Sequence, residues 1–238
     1  MIQFADVSYG VNGRPVLRKL SFTVERGSTL VLLGRSGSGK TTALKMVNAL
    51  LTPTSGEVRV DGKSTRDWDP IELRRGIGYV IQETGLFPHF TVFDNVAVVP
   101  RLRQWPADRV AARVHELLHR VGLAPKDFAH RFPRDLSGGQ RQRVGVARAL
   151  AADPPVLLFD EPFGALDPVT RFEVRREFRA LARDLGKTTL FVTHDVREAL
   201  ELADRIALLT GGTLCELLPA AEFRQAKSPE ARAFLESL

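Results

Sequence analysis

The sequence predicts an α/β fold with a mostly parallel sheet, extended by an antiparallel β part and by a mostly helical insert. Short apolar runs that alternate with segments of helical spacing predict the parallel strands, because such strands are buried on both faces. These runs are residues 30–33, 156–159, 189–192 and 206–209. Residues 20–24 and 57–62 alternate apolar with polar side chains, which is typical of half-buried antiparallel strands. Strand patterns disappear from about residue 84 to residue 151, where residues 107–121 carry an apolar helical face.

The composition narrows the classes of protein to which the chain can belong. A chain of 238 residues suits one large domain, or a domain with a subdomain. No apolar run approaches the roughly 18 residues needed to span a bilayer, and the amino terminus lacks the layout of a secretory signal. The single cysteine, Cys215, excludes an internal disulfide and fits a reducing cytosol. The net charge of +6 would permit nucleic acid or an anionic membrane as a neighbour, but a solvated basic surface is the simpler interpretation.

A glycine-rich loop follows the first of the buried strands and leads into a helix that continues through Thr42. Its residues are Gly34, Arg35, Ser36, Gly37, Ser38, Gly39, Lys40 and Thr41. The glycines allow successive N–H groups to point into one anion-sized hollow, and the helix start adds the positive end of its dipole. Lys40 can then reach the outer phosphates of a nucleotide, and the Thr41 hydroxyl can bind Mg²⁺. A plain glycine turn is the alternative, but the strand–loop–helix context favours a nucleoside triphosphate site.

Two carboxylates follow the second buried strand. Asp160 and Glu161 come directly after residues 156–159, and ligands of open α/β sheets lie at the carboxyl ends of strands. Asp160 is suited to hold Mg²⁺ through water, while Glu161 can orient or deprotonate an attacking water. Adjacent carboxylates are often only solvated surface residues. Their position after a buried strand, in a chain with a phosphate loop, favours the site.

A second anion-binding surface opens the helix at residues 141–150. The segment Leu136–Gln140 places Ser137, Gly138 and Gly139 at the helix start, where backbone N–H groups can face an anion. The alternative is a capped helix after a loop. A chain with one nucleotide site has no evident use for two phosphate binders of this kind.

These motifs, in order and spacing, resemble the ATP-binding cassette (ABC) family over essentially the whole chain. The matches are residues 34–41 with Walker A, 156–161 with Walker B, 136–140 with the signature motif, Gln82 with the Q-loop, 165–167 with the D-loop, His194 with the switch histidine and Tyr9 with the aromatic that stacks on adenine. The resemblance explains the second phosphate binder. In the family two cassettes meet head to tail, and the signature of one closes on the γ-phosphate held by the other.

The resemblance implies a P-loop NTPase (RecA-like) core with an antiparallel β subdomain and an α-helical subdomain. The expected division is 1–83 with 152–210 for the core and its β part, 84–151 for the helical subdomain, and 211–238 for a short tail. The tail residues themselves predict a closing helix at 229–238. The resemblance implies an ATPase with Glu161, His194 and Gln82 as catalytic residues. The expected Mg²⁺ ligands are Thr41, Gln82 and Asp160. The expected nucleotide contacts are Tyr9, residues 34–42 (Gly34 to Thr42), Asp160, Ser137, Gly138, Gly139 and Gln140.

The family resemblance also implies partners and a location. The cofactors are ATP and Mg²⁺, and the partners are a second copy of the chain, transmembrane permease subunits and, indirectly, a periplasmic or lipoprotein substrate-binding protein. No nucleic acid is expected. The chain would work at the cytoplasmic face of the cell membrane. A soluble cassette ATPase acting on DNA or the ribosome is the alternative class, but such relatives usually carry two cassettes or a long coiled-coil insertion.

A narrower resemblance points to importers of glycine betaine, choline and related quaternary amines. It lies in residues 69–75, 77–82, 85–89 and 95–100. This region faces the membrane subunits in the family, so it tracks the type of permease, and an importer for another solute such as an amino acid stays open. We expect Leu86, Phe87 and Phe90, just after Gln82, to line a groove for a cytoplasmic helix of the permease. Many such cassettes carry a regulatory tail of paired small domains; the sequence reaches Leu238 without one, so gating through such a tail is not expected.

Two further patterns have simpler interpretations. His115 and His119 match a zinc-protease pattern on one helical face, but no third ligand is near them in the sequence, so zinc is disfavoured. The series Arg171, Arg175, Arg176, Arg179 and Arg183 could bind nucleic acid. Acidic residues are interleaved with it, so we predict an exposed helix laced with ion pairs.

Overall fold

The computed structural model describes residues 1–82, 85–164, 166–236 and 238, except for the side chains of residues 168, 179, 182 and 183. The chain forms two compact units. The first contains residues 1–74 and 186–238, and the second contains residues 75–185. The subdomain boundaries expected from the family stay a prediction.

In its described residues, the first unit contains two sheets and four helices. Its strands are β1 (Ile2–Val11), β2 (Arg14–Val24), β3 (Thr29–Leu33), β4 (Ser55–Val60), β5 (Lys63–Ser64), β8 (Thr188–Thr193), β9 (Arg205–Thr210) and β10 (Thr213–Pro219). Its helices are α1 (Lys40–Val47), α2 (Pro70–Arg75, which ends at the unit boundary), α8 (Val196–Leu202) and α9 (Pro229–Leu235), with a 3-10 turn at Phe223–Gln225.

One sheet of this unit is antiparallel, in the order β2-β1-β4-β5, as the amino-terminal alternation predicts. In the other, β3 lies parallel to both β8 and β9, with Val31 opposite Phe191 and Ile206. The side chains of these three positions are completely buried, which confirms the apolar runs as interior strands. β10 was not predicted. It pairs antiparallel with β9 and is partly exposed along its length, so it lacks the continuous apolar run that marks the interior strands.

In the described part of the second unit, two strands run parallel: β6 (Ile77–Val80) and β7 (Val156–Asp160). Its helices are α3 (Val92–Leu102), α4 (Ala107–Arg120), α5 (Pro125–Phe128), α6 (Gly138–Leu150) and α7 (Pro168–Asp184), with a 3-10 turn at Pro133–Asp135. Between residues 85 and 151 the structure describes helices and turns and no strand, as the loss of strand patterns predicts.

Two helices of the second unit allow the faces predicted from the sequence to be compared with the observed burial. α4 agrees with its prediction, and α7 differs at one residue. α4 buries the predicted apolar stripe, because its members fall on one face at helical spacing; they are Val110, Val114, Leu117 and Leu118. α7 was predicted to be an exposed ion-paired helix, and this is wrong at Arg175, whose side chain is only 7% exposed and lies over the Phe172 ring. The side chains of Arg179 and Arg183 lie outside the described residues. Within the described part of the chain, no helix combines the length and apolarity required to cross a bilayer.

Candidate nucleotide site

The glycine-rich loop connects the end of β3 at Leu33 to the start of α1 at Lys40. Gly37 and Gly39 have φ angles of 79° and 98°, a region that side-chain-bearing residues rarely adopt. A Cβ on Gly39 would also lie 2.5 Å from Leu17 Cδ2, so a side chain there would require Leu17 to shift. The backbone therefore wraps closely at the amino end of α1, which is the geometry that a phosphate cradle needs.

The loop encloses the side chain of Lys40. Its side chain is only 4% exposed, and its Nζ donates to the carbonyl oxygens of Gly34 at 2.8 Å and Arg35 at 3.0 Å. The loop thus curls around the ammonium group and positions a fixed positive charge beside the helix start. The charge of Lys40 and the positive end of the helix dipole both attract an anion.

An open cavity of about 880 Å³ adjoins the loop on the side of β1 and β2. Tyr9 lines it, together with Arg14, Leu17 and Thr54 among others. Leu17 is also the residue against which Gly39 packs, so the cavity and the phosphate loop share a wall. Tyr9 therefore lines a cavity that shares Leu17 with the glycine-rich loop.

A second cavity, of about 560 Å³, borders residues 35–38 of the loop. The end of β9 and the helix α9 complete its walls, with Glu230 and Phe234 among the lining residues. The closing helix predicted from the sequence is confirmed as α9. Its position against a cavity at the phosphate loop could not be read from the tail sequence.

The predicted switch residue His194 is exposed on a tightly bonded turn at the end of β8. The Thr193 hydroxyl donates to the carboxylate of Glu198, which is 4% exposed, and the backbone N–H of Asp195 donates to Thr193 Oγ1 at 3.0 Å. Asp195 then caps α8 by accepting from the Arg197 backbone N–H at 2.7 Å. These bonds hold the backbone on both sides of His194. Glu198 was missed from the sequence, because a glutamate within a helix carries no sign of burial.

In the second unit, the predicted carboxylates stand at the end of β7. Asp160 is 9% exposed, and the Tyr79 hydroxyl of β6 donates to its Oδ2 at 3.4 Å. Burial, reinforced by the Asp160 charge, raises the pKa of Tyr79, so the phenol remains a protonated donor. Tyr79 was also missed, since only the pairing of β6 with β7 brings it near Asp160. Glu161 adopts a φ of 47°, an unusual conformation for a residue with a side chain and one that is frequent at functional sites.

Gln82 lies close to the turn that follows Glu161. A Cβ built on Gly164 would lie 3.5 Å from both Gln82 Nε2 and the Glu161 carbonyl oxygen. The side chain of Gln82 is exposed. The structure thus brings the predicted Q-loop residue to the segment that follows the predicted catalytic carboxylate.

The signature segment forms the capped start of α6. Ser137 Oγ accepts from the Gln140 backbone N–H at 3.2 Å, and Gln140 Oε1 accepts from the Ser137 backbone N–H at 2.9 Å. Because a hydroxyl has a donor as well as acceptors, Ser137 can accept from Gln140 and still donate its proton to an anion. Ser137 is exposed, whereas Gly139 is buried.

The predicted D-loop caps α7, although Ala165 lies outside the described residues. Asp167 Oδ1 accepts from the Thr170 backbone N–H at 3.1 Å, and a side-chain hydrogen bond from Thr170 lowers the pKa of the Asp167 carboxyl. An Arg171 guanidinium nitrogen donates to the Leu166 carbonyl at 2.8 Å. The loop is therefore bonded to the first turn of the helix that follows it.

The predicted site residues divide between the two units. Those of the first unit are Tyr9, residues 34–42 and His194, and those of the second are Gln82, residues 137–140, Asp160 and Glu161. Among the described residues, no group of three or more His, Cys, Asp and Glu side chains is placed to hold a metal. His115 instead stacks edge-on against Phe93, and Glu116 pairs with arginines on its own helix.

The fold and these loops define a P-loop NTPase of the cassette type. The chain matches a family model described as ABC transporter over residues 17–164, more than half of its length. A solved cassette, MJ0796, in a dimeric post-hydrolysis state bound to ADP and Pi, aligns with a TM-score of 0.82 and 34% identity, covering 92% of this chain and 99% of that one. The chain belongs to the ABC transporter family.

Two curated relatives narrow the comparison. The glycine betaine/carnitine/choline transport ATP-binding protein OpuCA of Bacillus subtilis is 48% identical over 205 residues, which are 86% of this chain and 54% of OpuCA. The glycine betaine uptake system ATP-binding protein YehX of Escherichia coli is 49% identical over 216 residues, covering 91% of this chain and 70% of YehX. The chain thus spans about half the length of OpuCA and somewhat more of YehX.

Proposed function

We propose that this chain is the ATP-hydrolysing subunit of an importer for glycine betaine, choline or related quaternary amines. The observation that carries the proposal is the combination, in one cassette, of a glycine loop closed around Lys40, a buried Asp160 followed by Glu161, and a capped signature helix. The names of the two relatives support the cargo. Purified chain should hydrolyse ATP, and this activity should be lost in Glu161→Gln.

ATP binding is proposed to use the first unit for most contacts. The phosphates would be bound by backbone N–H groups of residues 36–41 and by the Lys40 ammonium. At that ammonium, the phosphates would compete with the carbonyl oxygens of Gly34 and Arg35. Tyr9 would stack on the adenine from the cavity that shares Leu17 with the loop. The nucleotide is thereby fixed at both ends.

The residues fit an Mg²⁺ ion as well. Mg²⁺ prefers hard oxygen ligands and retains several waters, and the chain offers a hydroxyl, an amide oxygen and a buried carboxylate. We propose Thr41, Gln82 and Asp160 as these ligands, with Asp160 binding through water. The chemistry that bound Mg²⁺ supplies there is charge neutralisation on the phosphate oxygens.

Hydrolysis is proposed to depend on Glu161, Gln82 and His194. Glu161 would orient and deprotonate the attacking water, and His194 would contact the γ-phosphate and help to hold that water. Gln82 would sense the γ-phosphate, since its side chain lies beside the turn after Glu161. Hydrogen bonds within the protein hold the turns that carry these residues. Catalysis would therefore depend on the positions of these side chains and on their charges.

Two copies are proposed to close head to tail around ATP. The signature residues Ser137, Gly138 and Gly139 of one copy would cover the γ-phosphate bound by the other, and hydrolysis would let the copies separate. The dimeric MJ0796 cassette, with a TM-score of 0.82 to this chain, supports this arrangement. Through its permease subunits the complex would lie at the cytoplasmic face of the membrane.

The loop before α3 is proposed to receive the permease. Asn95 is completely buried, and its amide donates to three backbone carbonyls while its Oδ1 accepts from the Phe87 N–H at 2.8 Å. These hydrogen bonds hold in place the loop that contains Phe87, Phe90 and Thr91. Phe87 is nevertheless 42% exposed, although it contacts the rings of His89 and Phe90. A rigid loop that presents an apolar ring to solvent suits a helix of a partner subunit.

Phe87→Asp should abolish co-purification of this subunit with the permease, because a carboxylate would replace the apolar contact. ATP binding by the isolated subunit should be retained, as measured by nucleotide titration. Phe172→Asp is the matched control, since Phe172 is 53% exposed on α7 and should leave co-purification intact. Normal co-purification of Phe87→Asp would show that the permease docks elsewhere.

The cargo proposal predicts the response of the assembled transporter. Reconstituted with its permease, the ATPase should be stimulated by a binding protein loaded with betaine or choline, and less by the empty binding protein. The measurement is phosphate release from proteoliposomes. Stimulation by an amino acid, and by no quaternary amine, would remove the cargo proposal while leaving the cassette function intact.

A further inference from the structure

The start of α6 packs against α7 with no room for a side chain at Gly139. A Cβ built on Gly139 would lie 2.5 Å from the Thr170 Cγ2 methyl group, whereas ordinary contact begins at 3.4 Å. Gly138, one residue earlier, differs: its Cβ would lie 3.5 Å from Leu166 and 4.0 Å from Arg141. The close approach is therefore specific to Gly139 and Thr170.

Thr170 cannot easily turn its methyl group away. Its backbone N–H donates to the Asp167 carboxylate at 3.1 Å, and its hydroxyl interacts with the same carboxyl group and lowers its pKa. A threonine has few staggered positions in a helix, so moving the methyl also moves the hydroxyl off Asp167. The Arg171 bond to the Leu166 carbonyl fastens the same turn from the other side.

We infer that Thr170 is a positioning residue that sets the signature loop for closure on the partner's nucleotide: its backbone is bonded to Asp167, and its methyl group supports the backbone at Gly139. The inference rests on the proposed function, because the loop that Thr170 positions is the one proposed to cover the γ-phosphate. Thr170 acts within its own copy of the chain and touches no nucleotide.

The size of the effect follows from the contact distances. A side chain at Gly139 would have to displace the loop by about 1 Å to reach ordinary contact with Thr170. Losing one loop hydrogen bond to the charged γ-phosphate would weaken the dimer about 10- to 150-fold. Removing the Thr170 methyl group should remove most of this penalty. Thr170→Ser makes that change and retains the hydroxyl for Asp167.

The test is a double-mutant cycle in the Glu161→Gln chain, read as the dissociation constant of the ATP-bound dimer by analytical ultracentrifugation. Gly139→Ala should weaken the dimer about 10- to 150-fold when Thr170 is present, and less than about tenfold when it is combined with Thr170→Ser. The specificity control is Gly138→Ala, whose effect should be the same in both backgrounds. An equal effect of Gly139→Ala in both backgrounds, including no effect in either, would overturn the inference.

A second variant keeps the inference testable if Gly139→Ala does not fold. Thr170→Val retains the methyl group and removes the hydroxyl, so the support loses its anchor. It should raise the ATP concentration for half-maximal hydrolysis about two- to tenfold, the scale of one ordinary hydrogen bond, with kcat little changed. Thr170→Ser should not produce this rise. An unchanged ATP requirement in Thr170→Val would refute the role of the hydroxyl.

Failure of the inference is distinct from failure of the proposed function. If the proposed function is wrong, the Glu161→Gln chain with Gly139 and Thr170 intact forms no ATP-dependent dimer, and the unmodified chain does not hydrolyse ATP. If only the inference is wrong, both activities are present and the cycle shows no coupling between Gly139 and Thr170.

Discussion

Glu161→Gln should reduce ATP turnover by about two orders of magnitude or more, the contribution of a general base, while nucleotide binding is retained. The amide keeps the size of the carboxylate and most of its hydrogen bonding but loses the negative charge and the basicity. Glu161 directly follows Asp160, the proposed Mg²⁺ ligand, on a turn with an unusual backbone conformation. The measurement is phosphate release alongside ATP affinity, and Glu173→Gln on the exposed side of α7 is the matched control.

The same variant should accumulate as an ATP-bound dimer, because hydrolysis is what separates the copies. Adding Ser137→Arg should dissolve this dimer, since the Ser137 side chain is exposed at the start of α6 and a long side chain there would block the shared site. Size-exclusion chromatography with ATP, in the presence of the permease if its contacts are needed, compares the two. Equal dimerisation of the single and double variants would mean that the signature does not close the site.

Lys40→Ala should weaken ATP binding by about 10- to 150-fold, which corresponds to about 1.5–3 kcal/mol for hydrogen bonds to a charged group. The ammonium is buried within the loop, so water screens its charge poorly, and no other charged side chain of the loop is buried. The measurement is the dissociation constant for ATP by calorimetry.

Lys45→Ala is the matched control for this prediction, because Lys45 lies in the last turn of the same helix, away from the loop. It should bind ATP with unchanged affinity. Thermal unfolding of both variants separates the loss of the two loop hydrogen bonds from the loss of nucleotide contacts. Normal ATP affinity in a folded Lys40→Ala chain would contradict the assignment of the glycine loop as the phosphate site.

The sequence alone was sufficient for the buried strands and the local motifs. The run 156–159 is a buried strand because continuous apolar residues require burial on both faces, and the segment 34–41 forms a tight loop because its glycines permit φ angles that other residues avoid. The capping box of Ser137 and Gln140 is likewise local, since both partners lie within one helical turn.

The tertiary structure alone decided which distant residues support these motifs. Tyr79 meets Asp160 only through the pairing of β6 with β7, and Thr170 meets Gly139 only where α7 packs on α6. Burial of Arg175 likewise depends on packing that its charged neighbours in the sequence conceal. The physical reason is the range of the interactions: backbone conformation and capping act within a few residues and leave a pattern in the sequence. A contact between side chains far apart in the chain depends on the whole packing arrangement and leaves no such pattern.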